Sequence, residues 1–433
     1  MNREVWKQEF AGKKILIWGF GREGQSSLNW IRDLCPDLPL TIADSGRSDA
    51  LAKAAKEPGI TVQKEADTVF SDYDLILKSP GIVIPEGMDR TSITQQSQLF
   101  LKHQGFQTVG ITGTKGKSTT TSLCAAVLSE KTTTHLVGNI GIPCFDVLPQ
   151  LTDSDLVAFE ISCHQLEYSM YSPHISVFLN LYEEHLDHYG SFAAYGDAKA
   201  NIFRHQKDGD PVILNEALPY VSERKDAILI GRDITADETA LHFRDQSIAV
   251  PKTRLIGAHN RLNLAVVYAV AKLLGLSDEQ FTRGAESFVP LHHRLEPIEG
   301  KDGITYVNDS ISTIGQTAIA ALKALPETDV ILIGGMDRGI DYEELENYLF
   351  QQKELHTVFM YASGKRVLEE LKQKNMVHDH MHEAEDLEDA LKTAKTLCRK
   401  GHIVLLSPAA SSYDHFKNFE HRGAVFEELV KQL

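Results

Sequence analysis

The residues best suited to chemistry are Gly110-Ile111-Thr112-Gly113-Thr114-Lys115-Gly116-Lys117-Ser118-Thr119-Thr120, which follow a β-rich run and precede a helical one. Glycines let successive backbone N–H groups turn toward phosphate oxygens, and the next helix presents its positive end to them. In such a loop Lys117 reaches the β- and γ-phosphates and the Ser118 hydroxyl ligates Mg²⁺. The strict phosphate-loop spacing has four residues between the first Gly and the Gly-Lys pair. Here five separate Gly110 from Gly116, so the match is to a variant loop. The alternative is a glycine-rich turn with an incidental lysine.

A second loop, Gly19-Phe20-Gly21-Arg22-Glu23-Gly24, follows an apolar strand, with Asp44 twenty residues beyond Gly24. This satisfies a dinucleotide fingerprint, but the same turn also holds other diphosphates, such as that of a nucleotide sugar, or is simply a tight turn. Ser79-Pro80-Gly81 sits where the same crevice would be completed. A third cluster combines Glu160-Ile161-Ser162-Cys163-His164-Gln165 with Glu183-Glu184-His185-Leu186-Asp187-His188. His185 and His188 suggest zinc, yet they fall outside the H-E-x-x-H order and no third ligand is obvious. A carboxylate at a strand end beside a phosphate loop is better explained as a Mg²⁺ ligand, and His188 alone reads as structural. Without context, Lys199 reads as a solvated helix lysine. His378, His380 and His382 alternate as on one strand face; a metal site there is discounted.

The elements that must position these groups alternate between strand and helix. Candidate strands are 14–18, 40–43, 75–77, 108–111, 156–161, 177–179, 212–214, 330–333, 358–361 and 403–406, short apolar runs of the buried parallel kind. A nearly all-apolar helix over 262–274 stops at Gly275, and Ser277 to Gln280 forms a capping box for the next. The more polar 233–250 reads as a small β excursion. The class is α/β with mainly parallel sheets. A length of 433 residues fits several domains. Three strand-to-loop starts suggest three: 1–102, 103–290 and 291–433. With 44 Lys+Arg against 60 Asp+Glu, the chain lacks the basic footprint of a nucleic-acid binder. Its five scattered cysteines and the absence of a long apolar run point to a soluble protein of the reducing cytoplasm with no membrane insertion.

Taken together the motifs resemble the Mur ligase family, essentially over the whole chain. They are Gly113 to Thr119, Glu160-Ile161-Ser162, His185-Leu186-Asp187, Gly257-Ala258-His259-Asn260-Arg261-Leu262-Asn263, His293-Arg294-Leu295-Glu296, Asn308-Asp309-Ser310 and the stretch from Leu406 to Gly423. Within the family the chain is similar to the branch that adds D-glutamate to UDP-N-acetylmuramoyl-L-alanine through an acyl phosphate, a step of peptidoglycan synthesis tied to cell-wall growth, cell shape and division. The resemblance implies a Rossmann-like UDP-binding domain, a central ATP-binding domain and a Rossmann-like ligase domain, acting as a monomer. It assigns ATP to Gly113, Thr114, Lys115, Gly116, Lys117, Ser118, Thr119, Asn260, Asn263, Arg294 and Asp309. Mg²⁺, at two sites, falls to Ser118, Glu160, His185 and a carbamylated Lys199, so that Lys117, Glu160, His185 and Lys199 carry the chemistry. The UDP-sugar falls to Gly19, Gly21, Gly24, Asp44, Ser79, Gly81 and Asn139, and glutamate to Thr313, Arg338, Ser412 and Phe419.

Two departures bear on the acceptor. The family's usual Asn-Asp-Ser-Lys-Ala-Thr reads Asn308-Asp309-Ser310-Ile311-Ser312-Thr313, and Arg338 stands where lysine is usual. An anion left without its cation costs on the order of 1–3 kcal/mol, and a guanidinium binds carboxylate with another geometry. Relatives that add L-glutamate therefore remain an alternative. So, more remotely, do another Mur or folylpolyglutamate-type ligase, a nicotinamide oxidoreductase built on Gly19 to Gly24, and a non-catalytic nucleotide-gated binder.

Overall fold

In the computed structural model the described residues are 2–433 apart from 47, 256, 290 and 291, with the side chains of 187 and 299 also left aside. They form three sheets. The first joins β1 (Ile15–Trp18), β2 (Leu40–Ala43), β3 (Ile60–Gln63), β4 (Leu75–Lys78) and β5 (Ile93–Thr94) in the parallel order β3-β2-β1-β4-β5. The strand order reverses between β1 and β4, the crevice where open α/β sheets bind ligands.

The second sheet contains β6 (Thr108–Thr112), β7 (Thr134–Gly138), β8 (Leu156–Glu160), β9 (Ile175–Phe178), β10 (Val212–Asn215) and β11 (Ile228–Ile230), all parallel. It continues into β12 (Ile234–Ala236), β13 (Ala240–Phe243) and β14 (Gln246–Ala249), whose antiparallel pairing is the expected polar excursion. The third sheet holds β15 (Glu296–Glu299), β16 (Thr305–Asn308), β17 (Thr328–Ile333), β18 (His356–Phe359), β19 (Met381–Glu383) and β20 (Ile403–Leu406). Its order is β15-β16-β20-β17-β18-β19, antiparallel only at β15. The α/β class is therefore as expected.

Period-two alternation explains the burial. Val330 and Leu332 enter the core on one face of β17, Ile331 and Ile333 that on the other, so both faces are covered by helices and the strands read as continuous apolar runs. The expected helix spans Ala258–Leu273, and the capping box at Ser277 and Gln280 is present.

The chain divides into two compact units, Met1–Lys252 with Arg261–Phe288, and Thr253–Asn260 with Val289–Leu433. The first two sheets share one unit because a single core runs through them: Trp6 meets Phe145 at 5.2 Å and Phe100 meets Phe159 at 5.6 Å. The expected seam at residue 102 falls inside helix Gln96–Gln104, whose Leu99, Phe100 and Leu101 belong to that core. The seam at 290 lies outside the described residues. Two local readings are corrected. Only Met381–Glu383 of the histidine segment is strand, so His378, His380 and His382 do not share a strand face. Tyr361 leaves the strand at φ +56 and opens helix Tyr361–Gln373. Among the described residues no helix is long and apolar enough to cross a membrane.

Gly24 sets how closely helix Arg22–Leu34 approaches β1: a Cβ there would lie 2.3 Å from the Gly19 carbonyl oxygen. Gly24→Ala is expected to lower stability by about 1–3 kcal/mol, as overpacking does, read as a reduced urea midpoint with unchanged slope. An unchanged midpoint would contradict this close approach.

Candidate active site

β6 delivers the phosphate loop at its carboxyl end. Gly113 takes φ +155 and Gly116 φ +82, conformations that favour glycine, and helix Lys117–Leu128 starts at once with no side-chain cap on its first turn. Its free N–H groups make an anion site of the helix N-terminus. Residues the sequence did not single out hold the loop in place. Asn180 Oδ1 accepts from the Thr114 and Lys115 amides at 3.1 and 2.8 Å, and its Nδ2 donates to the Lys115 carbonyl. Thr114 Oγ1 accepts from the Tyr182 amide and lies 3.2 Å from the Tyr195 hydroxyl. Lys115 pairs with Glu184 at 2.6 Å. No local pattern marks Asn180 or Glu184, because each acts on a loop more than 60 residues away.

Two lysines converge on one oxygen. Lys117 Nζ donates to the Gly113 carbonyl at 2.9 Å and to that of Thr114 at 3.0 Å. Lys199 Nζ donates to the same Gly113 carbonyl at 2.8 Å. Lys199 is 1% exposed, which corrects its reading as a solvated helix lysine. Burial, reinforced by the Lys117 charge, lowers its pKa to about 7. Burial also lowers Lys117, against the opposing pull of Glu160 and Glu184.

Glu160, at the end of β8, is buried beside this pair. Its Oε1 accepts from Asn139 Nδ2 at 3.0 Å, while Oε2 is buried without a hydrogen-bond partner. The buried Thr119 hydroxyl likewise has none. An orphaned carboxylate oxygen close to a lysine-rich phosphate loop fits a hard, oxygen-seeking cation such as Mg²⁺. His185 is exposed at φ +56 and caps the short helix Leu186–Tyr189, its ring 5.0 Å from that of His164 and 6.0 Å from that of Tyr195. The Asp187 side chain lies outside the described residues. Asn263 stands by the loop: a Cβ on Gly116 would lie 3.3 Å from its Oδ1. Asn260, on the same helix, is buried.

In the first sheet Gly19 leaves β1 at φ +89, and Ser79 Oγ donates to its carbonyl at 3.1 Å. A Cβ on Gly21 or Gly81 would meet nothing within 4 Å, so the room at these positions is free for a ligand. Both Asp44 oxygens are engaged by the protein, accepting from the Phe20 and Gly46 amides at 2.6 Å, so Asp44 braces the loop. Two further residues were given no role by the sequence reading. Lys78 Nζ donates to the carbonyls of Ser79, Pro80 and Ile82, and burial lowers its pKa to about 8. Glu23, accepting from Gln165 Nε2 at 2.7 Å, is raised by burial to about 7.

In the second unit Asp309 follows β16 and is buried. Its carboxylate accepts from the Ser312 and Ser407 hydroxyls; burial raises its pKa to about 6, with Arg294 among the groups opposing the rise. Ser412 is buried, Phe419 and Thr313 are half-buried, and Arg338 is exposed. The Met336 amide donates to the Ser411 carbonyl at 2.8 Å, which brings the Arg338 loop beside the Ser412 loop. Buried Arg422 fastens the latter, donating to Ser310 O, Ser310 Oγ and Ala410 O at 2.7–3.0 Å.

Residues 111–271 match the Mur ligase middle domain, and residues 293–410 the Mur ligase glutamate ligase domain. The chain is 31% identical to UDP-N-acetylmuramoylalanine–D-glutamate ligase of Koribacter versatilis over 98% of each chain. The chain belongs to the Mur ligase family. It is 33% identical to UDP-N-acetylmuramoyl-L-alanine–L-glutamate ligase of Xanthomonas campestris pv. campestris, over 98% of this chain and 96% of that one. In fold it is similar to MurF of Acinetobacter baumannii (TM-score 0.66, 17% identity, 98% of each chain). It is also similar to the ADP complex of MurF from Thermotoga maritima (TM-score 0.60, 17% identity, 98% and 96%).

The Lys199 amine gives a pH signature. Unfolded, it keeps its proton to near its ordinary 10.5; folded, it releases it near 7. Between these values the unfolded chain binds more protons, so this group makes stability rise with pH. Lys199→Met is expected to be stabilising at pH 6, with the advantage over the parent shrinking as pH climbs from about 7 to 10 in urea titrations. A pH-independent difference would contradict the buried, proton-poor amine.

Proposed function

We propose that this Mur ligase joins glutamate to UDP-N-acetylmuramoyl-L-alanine at the expense of ATP, releasing ADP and phosphate. The observation that carries the reading is the meeting of Lys117 and Lys199 at the Gly113 carbonyl, next to a buried Glu160 whose second oxygen has no partner. Such a cluster suits the central difficulty of the reaction, bringing a carboxylate against a triphosphate: Lys117 would meet the phosphates as a cation, while Glu160 and Lys199, once carbamylated, would hold the metal charge beside them.

In this reading residues 1–102 hold the uridine diphosphate through Gly19, Gly21, Gly24, Ser79 and Gly81, with Asp44 as brace. Residues 103–290 hold ATP, and residues 291–433 hold the acceptor through Thr313, Arg338, Ser412 and Phe419. Lys117 and the amides of the 113–119 loop bind the phosphates, and Asn139, fixed on Glu160, places the alanyl carboxylate. That carboxylate oxygen attacks the γ-phosphorus and ADP leaves. The glutamate nitrogen then attacks the acyl carbon, the phosphate leaves with the original carboxylate oxygen, and the amine loses its proton to solvent. Ser118 and Glu160 would hold one Mg²⁺, with His185 and a carbamylated Lys199 at a second; the ions supply charge neutralisation on the phosphate oxygens. A lysine whose pKa sits near 7 presents the neutral amine that carbamylation needs. The protein works as a monomer in the cytoplasm.

L-glutamate as acceptor is the second reading. Ile311, half-buried where the family usually carries lysine, offers no charge to an acceptor carboxylate, and the Xanthomonas relative is named for the L-enantiomer.

Phosphate release with ATP, Mg²⁺ and UDP-N-acetylmuramoyl-L-alanine is expected only when glutamate is added, and for one enantiomer. Release indifferent to both enantiomers rejects the reading. Lys117→Ala is expected to lower the rate by about 10²–10³-fold, the usual effect of losing one oxyanion-stabilising donor. Stripping CO₂ is expected to depress the parent rate and bicarbonate to restore it; a rate insensitive to both removes the carbamate.

A further inference from the structure

The cluster around His188 has a use that the phosphate chemistry does not explain. Ser162 opens the short helix Cys163–Leu166 with a capping box to Gln165. His164 and Glu167 then stand three residues apart, the spacing that places side chains on one face of a helical turn. Asn201 Nδ2 donates to the Leu166 and Glu167 carbonyls at 3.0 and 3.3 Å, fixing that turn from below. Helix Leu186–Tyr189 brings His188 opposite.

Glu167 Oε2 lies 3.1 Å from His188 Nε2, the His164 and His188 rings are 4.4 Å apart, and donor atoms of all three residues lie within 4.8 Å of one another. The Tyr168 hydroxyl donates to the other carboxylate oxygen, Oε1, at 2.8 Å, and the Tyr189 hydroxyl stands 3.3 Å from His164 Nδ1. Outer partners of this kind orient metal ligands. Lys78, the neighbouring cation, is already bound to three backbone carbonyls. A histidine–carboxylate ion pair alone accounts for His188 and Glu167. It leaves unexplained why a second imidazole is held against them.

We propose that His164, Glu167 and His188 form a binding site for one borderline divalent cation of the Zn²⁺ class. Two imidazole nitrogens and a carboxylate oxygen suit Zn²⁺ or Co²⁺ and are a poor set for Mg²⁺, which takes oxygen ligands. Tetrahedral bonds of about 2.0–2.1 Å put donors roughly 3.3 Å apart, reachable here by small side-chain rotations. The sequence pair His185 and His188 lacked a third ligand; the fold supplies one set for His188 from the preceding turn. The ion ties together the turn that follows Glu160 and the helix capped by His185, and so fixes both flanks of the proposed phosphoryl-transfer site.

The test is a Co²⁺ titration of the full, tag-free, metal-stripped chain in excess Mg²⁺, followed by ligand-field absorption. It needs neither nucleotide nor sugar substrate, so its result is independent of the ligase reading. One Co²⁺ per chain is expected, displaced by stoichiometric Zn²⁺. His164→Phe, Glu167→Gln and His188→Gln are each expected to weaken binding by at least about 100-fold, the upper end of what losing an outer partner costs. His382→Ala is expected to leave it unchanged. Each variant's metal-free melting curve reports its folding. Absence of Co²⁺ bands in the parent chain overturns the proposal, as does binding that none of the three substitutions weakens.

Discussion

The constraint on which the site depends is the cost of keeping two lysine ammonium groups out of water and close together. Lys117 and Lys199 share one carbonyl oxygen, and burial holds both below their ordinary pKa. Such a pair is tolerable only with anions near it, and Glu160 and Glu184 provide part of that compensation. In a site of low dielectric such a like-charge pair is poorly stable without anions beside it.

The fold repeats one device at its strand ends. The first two sheets each send a strand into a glycine turn and then into a helix whose first N–H groups have no side-chain cap, at residues 19–24 and 113–117. The third ends β16 in the buried Asn308-Asp309-Ser310 turn, where an acid held by serine hydroxyls replaces the glycines. The strand-end position is common to all three because parallel strands gather their amide donors and loop openings at that edge. At Asp309 the protein itself satisfies the carboxylate.

Much of this was legible in the sequence. Buried parallel strands announce themselves as short apolar runs, which is why 40–43 and 403–406 coincide with β2 and β20. The glycine turn at 113–116 that opens a helix and the Ser277 capping box depend on neighbours in sequence and were readable for that reason. Lys199 was not, since a helix lysine carries no mark of its burial; the family resemblance alone singled it out. Asn180 holds a loop 65 residues away and leaves no local pattern, while Glu184 and Arg422 lie inside quoted motifs whose spacing does not show what they hold. Nothing in the sequence shows that residue 102 lies in helix Gln96–Gln104, which is buried in a core shared by two sheets. His164, quoted within the Glu160 motif, was not recognised as a partner of His188, which lies on another turn.

The central claim is that a terminal phosphoryl group passes to a carboxylate before the amide forms. Turnover of UDP-N-acetylmuramoyl-L-alanine labelled with ¹⁸O in its alanyl carboxylate tests it most directly, by mass analysis of the phosphate released. The account predicts that each phosphate carries one labelled oxygen from a doubly labelled carboxylate. Phosphate free of label, with amide product formed, would contradict it.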